Sequence, residues 1–220
     1  MMSPGARSAG VVVRLALVSS APTPALRAAR FPIDEDVDAD GLRRAATAAA
    51  AAAGALPARA RVLTDGSARA RQTASALCLH GTGTSGTDCG TGTAADTHAH
   101  AYADADASRL GGGGAESGVE AALRDLDVGD WRGRGLDEIP LDELRRWHED
   151  PAMAPPGGES RADLLNRIGG WLARVGGQPG GVIAVTHPAV VRAVLLLVLR
   201  CPPEVFWRID VAPLTATLLH

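Results

Sequence analysis

The stretch that most constrains this chain is Gly181 to Leu199, GVIAVTHPAVVRAVLLLVL, which passes from a β-branched run through a polar turn into an apolar helical pattern. Val182 to Val185, bounded by glycines, suits a strand buried on both faces. Thr186-His187-Pro188 ends that run. From Ala189 onward the residues are apolar almost all round, with Arg192 the one charge before Arg200, as expected of a helix packed against a sheet. A side chain at the carboxyl end of such a strand faces the crevice where open α/β sheets bind ligands. His187 is therefore a candidate for chemistry, although a histidine in this setting also serves as a plain structural residue.

At 220 residues the chain has the size of one generous α/β domain. A net charge of -3 and no Lys/Arg cluster give no footprint for nucleic acid or for an anionic membrane surface. Three cysteines, Cys78, Cys89 and Cys201, lack metal or redox spacing and fit free thiols in a reducing compartment, so the expected location is the cytoplasm. Arg14 interrupts the only N-terminal apolar run that resembles a secretory signal. No run reaches the ~18 apolar residues of a membrane span.

Residues 1–10 read as a frayed tail ahead of a single domain over 11–220. Strands are expected at 11–18, 61–64 and 182–185, with a final edge strand within 206–219. Helices are expected at 42–55, capped by Asp40, and at 68–79, 141–148, 160–175 and from 189. Ser160 with Asp163 has the spacing of an N-terminal cap. Ala21-Pro22-Thr23-Pro24 forces a turn after the first strand. Between residues 80 and 118 lies a Gly, Thr, Ala, Ser and Asp tract, read as a disordered insertion because it buries too little apolar surface to offset its ordering entropy. His98 and His100 belong to that tract and read as linker residues rather than metal ligands. Trp131, Trp147, Trp171 and Trp207 are dispersed and read as core and loop packing. Asp34, Glu35 and Asp36 read as a solvated surface, and Glu159 as a helix-start carboxylate or a brace for the cleft. Alternating strands and helices predict a mostly parallel sheet with helices on both faces, a three-layer α/β/α sandwich.

Four separated segments, in order, then resemble one family. TDGSARARQTASAL is similar to the TSPLxRARQTA helix start of the histidine phosphatase superfamily, the phosphoglycerate-mutase-like branch. LRDLDVGDWRG resembles its LxExDFGxWEG, PPGGES its PPGGES loop, and AVTHPAVVRAVL its VSHGGVIRALL. The resemblance implies a phosphohistidine mechanism. In it, a histidine in an RHG motif after the first strand attacks phosphorus, a second histidine and arginines hold the phosphoryl oxygens, and a carboxylic acid protonates the leaving oxygen. By match of motif, His187 is the second histidine, Arg69 the phosphate arginine and Asp125 the general acid, one methylene shorter than the family's glutamate. No cofactor and no metal are implied.

The departure lies at the first strand, where LVRHGET becomes Leu17-Val18-Ser19-Ser20-Ala21-Pro22-Thr23. Ser19 replaces the arginine and with it a charge-assisted fork onto phosphate. Ser20 replaces the imidazole that forms the covalent intermediate. A Ser20–His187 pair would need a third, orienting group. Two readings stay open. One is a degenerate phosphatase that binds a small anionic or phosphorylated molecule through Arg69 and His187, with Ser19, Thr23, Arg27 and Arg30 as further binding candidates. The other is a repurposed enzyme in which His187 and Asp125 do acid–base work on a small molecule, with Ser20-based phosphomonoester hydrolysis a lesser variant. The oligomeric state is open, a homodimer included.

Overall fold

The apolar runs meet in one five-stranded sheet. The computed structural model describes residues 13–57, 60–79 and 117–220. Its strands are β1 (Val13–Ser19), β2 (Arg61–Thr64), β3 (Ser117–Val119), β4 (Gly180–Thr186) and β5 (Ala216–Leu219), in the order β3-β2-β4-β1-β5. The first four run parallel, and β5 closes one edge antiparallel to β1. The helices are α1 (Pro24–Arg27), α2 (Ala39–Ala55), α3 (Ala68–Ala76), α4 (Leu141–Glu149), α5 (Arg161–Gly176) and α6 (Pro188–Leu199).

Strand alternation divides the core in two. Leu15, Leu17, Val182 and Ala184 face α5 and α6, where Leu164, Ile168, Trp171 and Val194 are buried. Ala16, Val18, Val62, Ile183 and Val185 face α2 and α3, whose Ala45, Ala70 and Ala74 allow close approach. This is the α/β/α sandwich that the alternation of strands and helices predicts.

Several local expectations change. Asp38 rather than Asp40 caps α2, because its carboxylate reaches the Gly41 amide at 2.6 Å while Asp40 already lies in the first turn. The Gly/Thr-rich tract expected over 80–118 ends earlier, since Ser117 and Gly118 pair with β2. Residues 80–116 and 1–12 lie outside the described residues, and so do the expected frayed tail, His98 and His100. The final strand is only Ala216–Leu219, because Pro203–Arg208 forms a 3-10 helix that buries Phe206 against α6. The expectation of free thiols holds for Cys201, whereas Cys78 is disulfide-bonded. Tryptophans dispersed in sequence are grouped in space: Trp131, Trp147 and Trp207 form one aromatic cluster with Phe31 and Phe206. Trp171 is buried in the α5/α6 core. Among the described residues, no helix is long and apolar enough to cross a membrane.

Candidate functional site

Three neighbouring parallel strands deliver polar side chains to the carboxyl end of the sheet. The β1–β4 register pairs Ser19 with Thr186, so Ser20 and His187, the next residues, leave the sheet side by side. The Ser20 amide fixes this by donating to the Thr186 carbonyl at 2.8 Å. Ser20 Oγ then stands 3.5 Å from His187 Nδ1. From the end of β2 comes Asp65, whose Oδ2 lies 2.9 Å from His187 Nε2. His187 is fully buried and Ser20 is 4% exposed.

Asp65 is held on its other oxygen. Ser67 donates to Oδ1 from its amide (3.1 Å) and its hydroxyl (2.7 Å). Burial pushes the Asp65 carboxyl up, but hydrogen bonding and electrostatic attraction to His187 and the two Ser67 bonds outweigh it, and the carboxyl ends at about 2. Asp65 is therefore ionised at neutral pH. Sequence reasoning missed it, although a signal was present: in TDGSARA against TSPLxRA, Asp65 stands where the family pattern has serine.

A second pair forms beside the first. Arg69, in the first turn of α3 and nearly buried, bonds Asp125 at 2.5 Å. Hydrogen bonds join the segments that carry the two pairs. Thr73 Oγ1 accepts from the Ala21 amide (2.9 Å) and donates to the Arg69 carbonyl (2.7 Å), and Thr186 Oγ1 donates to the Leu123 carbonyl (2.7 Å), two residues before Asp125. Arg69 and Asp125 border a cleft of about 260 Å³, whose wall also carries Asp34, Ser67, Arg124, Asp127 and Arg132. Asp34 is not simply solvated surface: it accepts from the Ala68 amide at the start of α3 (3.0 Å). Arg132 is paired with Asp127 (2.7 Å).

Glu159 and Arg167 brace the Asp125 loop. Glu159 accepts from the Asp127 amide (3.1 Å) and is paired with Arg167, which also donates to the carbonyls of Ala122 (2.6 Å) and Arg124 (3.0 Å). Arg167 carried no signal in the sequence beyond its helical position.

The other binding candidates do not converge here. Arg27 is paired with Asp38 and Asp40 at the start of α2. Arg30 donates to the Gly133 carbonyl (3.0 Å) and to Glu138 (3.2 Å). Both arginines sit near the cleft in sequence order, but nearer carboxylates and carbonyls hold them elsewhere. Thr23 is buried as the cap of α1. Ser19 is buried with its hydroxyl unpartnered, on the strand face opposite Ser20. Among the described residues, no group of three or more His, Cys, Asp or Glu side chains is arranged to hold a metal.

The chain is similar to several known proteins. Over 97 residues the chain is 33% identical to a glucosyl-3-phosphoglycerate phosphatase of Mycobacterium tuberculosis, covering 38% of this chain and 44% of that protein. Over 107 residues it is 28% identical to phosphoserine phosphatase 1 of Hydrogenobacter thermophilus, covering 46% and 51%. The chain thus spans about half or less of the length of these curated relatives. Among solved structures, a mycobacterial glucosyl-3-phosphoglycerate phosphatase complexed with VO3 superposes with a TM-score of 0.68 at 23% identity, covering 94% of this chain and 92% of that one. A protein described as mycobacterial hydrolase 1 gives 0.69 at 21% identity, with 93% and 90% covered. These likenesses establish the fold. The model of the histidine phosphatase superfamily, branch 1, matches residues 99–220, more than half of the chain. The chain belongs to the histidine phosphatase superfamily.

Proposed function

We propose that this protein is a pseudophosphatase, which retains the superfamily fold, carries out no phosphohistidine chemistry, and binds a small anionic ligand in the cleft beside Arg69. The observation that carries the reading is the hydroxyl of Ser20 facing His187 at 3.5 Å, at the strand end where the family pattern has its attacking histidine. The phosphoserine that this hydroxyl would form is a stable ester rather than a labile P–N bond. The ionised Asp65 carboxylate adds to this, because it sets a negative charge against the ring that would otherwise hold a phosphoryl oxygen.

Ligand binding in the cleft rests on its arginines. Arg69 offers a guanidinium at the N-terminal turn of α3, where the helix dipole also favours an anion. Arg124, bonded to the Ala121 carbonyl rather than to a carboxylate, lines the same wall. A ligand reaching Arg69 takes the place of Asp125. The relatives' names, glucosyl-3-phosphoglycerate phosphatase and phosphoserine phosphatase, point to small phosphorylated molecules as the ligand class to test first. Acid–base work by His187 and Asp125 together gains no support from the geometry, since no hydrogen bond joins the two and Asp125 is held in an ion pair with Arg69.

The test compares p-nitrophenyl phosphate turnover by the native chain, by Ser19→Arg/Ser20→His, and by the same double variant with Asp65→Ser. Negligible native turnover is expected, with recovery in the double variant and more in the triple one. Phosphate turnover by the native chain that is abolished by Ser20→Ala overturns the reading. Thermal-shift titration with inorganic phosphate and with phosphorylated and carboxylated metabolites checks binding. Stabilisation that disappears in Arg69→Gln is expected.

A further inference from the structure

Where the family pattern has its attacking histidine, this chain has a serine within a hydrogen-bonded line of three side chains. The C-terminal ends of β2, β4 and β1, adjacent in the sheet, present Asp65, His187 and Ser20 in that spatial order. Carboxylate, imidazole and hydroxyl form one hydrogen-bonded line, with the carboxylate on one ring nitrogen and the hydroxyl on the other. We propose that Ser20, His187 and Asp65 act as a serine hydrolase relay on small, uncharged carboxylic esters. The proposal builds on the absence of phosphohistidine turnover but not on anion binding in the cleft.

The roles follow from the bonds. Asp65, fixed by Ser67, accepts the proton on His187 Nε2 and so sets the tautomer that leaves Nδ1 open to the Ser20 hydroxyl. His187 cannot swing away, because it is fully buried at the junction of β4 and α6. Ser20 Oγ attacks the acyl carbon while its proton passes to Nδ1, and the carbonyl electron pair moves onto oxygen. Collapse of the adduct expels the alkoxide, which leaves as the alcohol with the proton from Nδ1. Water then attacks the acyl-serine and gives a proton to Nδ1. Ser20 departs with that proton, and the carboxylic acid is released. The first amides of α6, Ala189 and Val190, have no intrahelical acceptor and lie at the helix's positive end, so they are the donors available to the carbonyl oxygen.

The site selects the substrate class. A neutral carbonyl meets no repulsion from the Asp65 carboxylate, whereas a phosphate ester does. An acyl-serine is released by the same base that formed it, unlike a phosphoserine. Ser20 is only 4% exposed, which restricts the acyl portion to a small group, and Ser67, which holds Asp65, also borders the cleft.

The test uses the full chain with p-nitrophenyl acetate, and phenylmethylsulfonyl fluoride followed by peptide mass mapping. Hydrolysis lost to the solution background in Ser20→Ala, and sulfonylation mapped to Ser20, are expected. Asp65→Asn lowers kcat by about 10²–10⁴-fold with little change in KM, the range general-base orientation supplies, and Asp65→Glu recovers part of it, with circular dichroism confirming that each variant is folded. Labelling of the native protein needs no variant to fold. Equal hydrolysis by Ser20→Ala, label on another residue, or no label at all overturns the relay. Unchanged kcat in Asp65→Asn also overturns it. Anion binding, read through Arg69 by thermal shift, succeeds or fails separately.

Discussion

The Asp65 carboxyl is held between opposed influences. Its near-complete burial disfavours the ionised form, while His187 and Ser67 favour it more strongly. Because the folded value lies below the ordinary carboxylate value of 3.8, the stability it contributes is fully present above that value and is lost as pH falls from about 4 toward 2. Allowing for partial solvent screening, the contribution is on the order of 1–2 kcal/mol. Asp65→Asn is accordingly expected to be less stable than the native chain by about that amount at neutral pH. The difference should close near pH 2, as read by urea unfolding at a series of pH values. A gap that stays constant down to pH 2 would assign the effect to packing rather than to charge.

Among the elements, the two loops that brace Asp125 depend on glycine. Gly129 has φ +52°, and a Cβ there would overlap the Pro156 carbonyl oxygen and the Gly158 amide. The close approach is what lets Asp130 donate to Pro156 (2.9 Å) and Glu159 donate to Asp127 (2.8 Å). Gly129→Ala therefore combines backbone strain with a backbone overlap, and a loss of about 2–4 kcal/mol is expected. Ser160→Ala, a few residues on, removes only the cap of α5, whose hydroxyl accepts from the Asp163 amide at 3.1 Å while Asp163 bonds back. That loss should be about 1 kcal/mol. Chemical unfolding of both variants measures the contrast. Equal losses would show that the loops accommodate a Cβ by moving apart.

At the level of the whole molecule, one sheet serves two cores, so damage to either side is felt by both. Trp171→Ala, at a fully buried position of α5, should cost about 3–5 kcal/mol. The loss should appear as a single shifted thermal transition followed by both near- and far-ultraviolet circular dichroism. Two separate transitions would mean that the α2/α3 side folds independently. The sequence by itself determined the layer order and the position of His187 at the carboxyl end of a central strand. The runs Leu15–Val18 and Val182–Val185, the alanine-rich helix before Leu56, the Ser160 cap and the position of His187 after β4 are all written in the pattern of near neighbours, which local burial and propensity can read. Only the tertiary structure decided which charges meet. Asp65 and His187 are 122 residues apart and touch because β2 lies beside β4, while Arg27 and Arg30 are drawn to Asp38, Asp40 and Glu138 instead of the cleft. An apolar period records how a segment is buried, but an ion pair depends on which segments become adjacent, and strand order sets that only once the chain is packed.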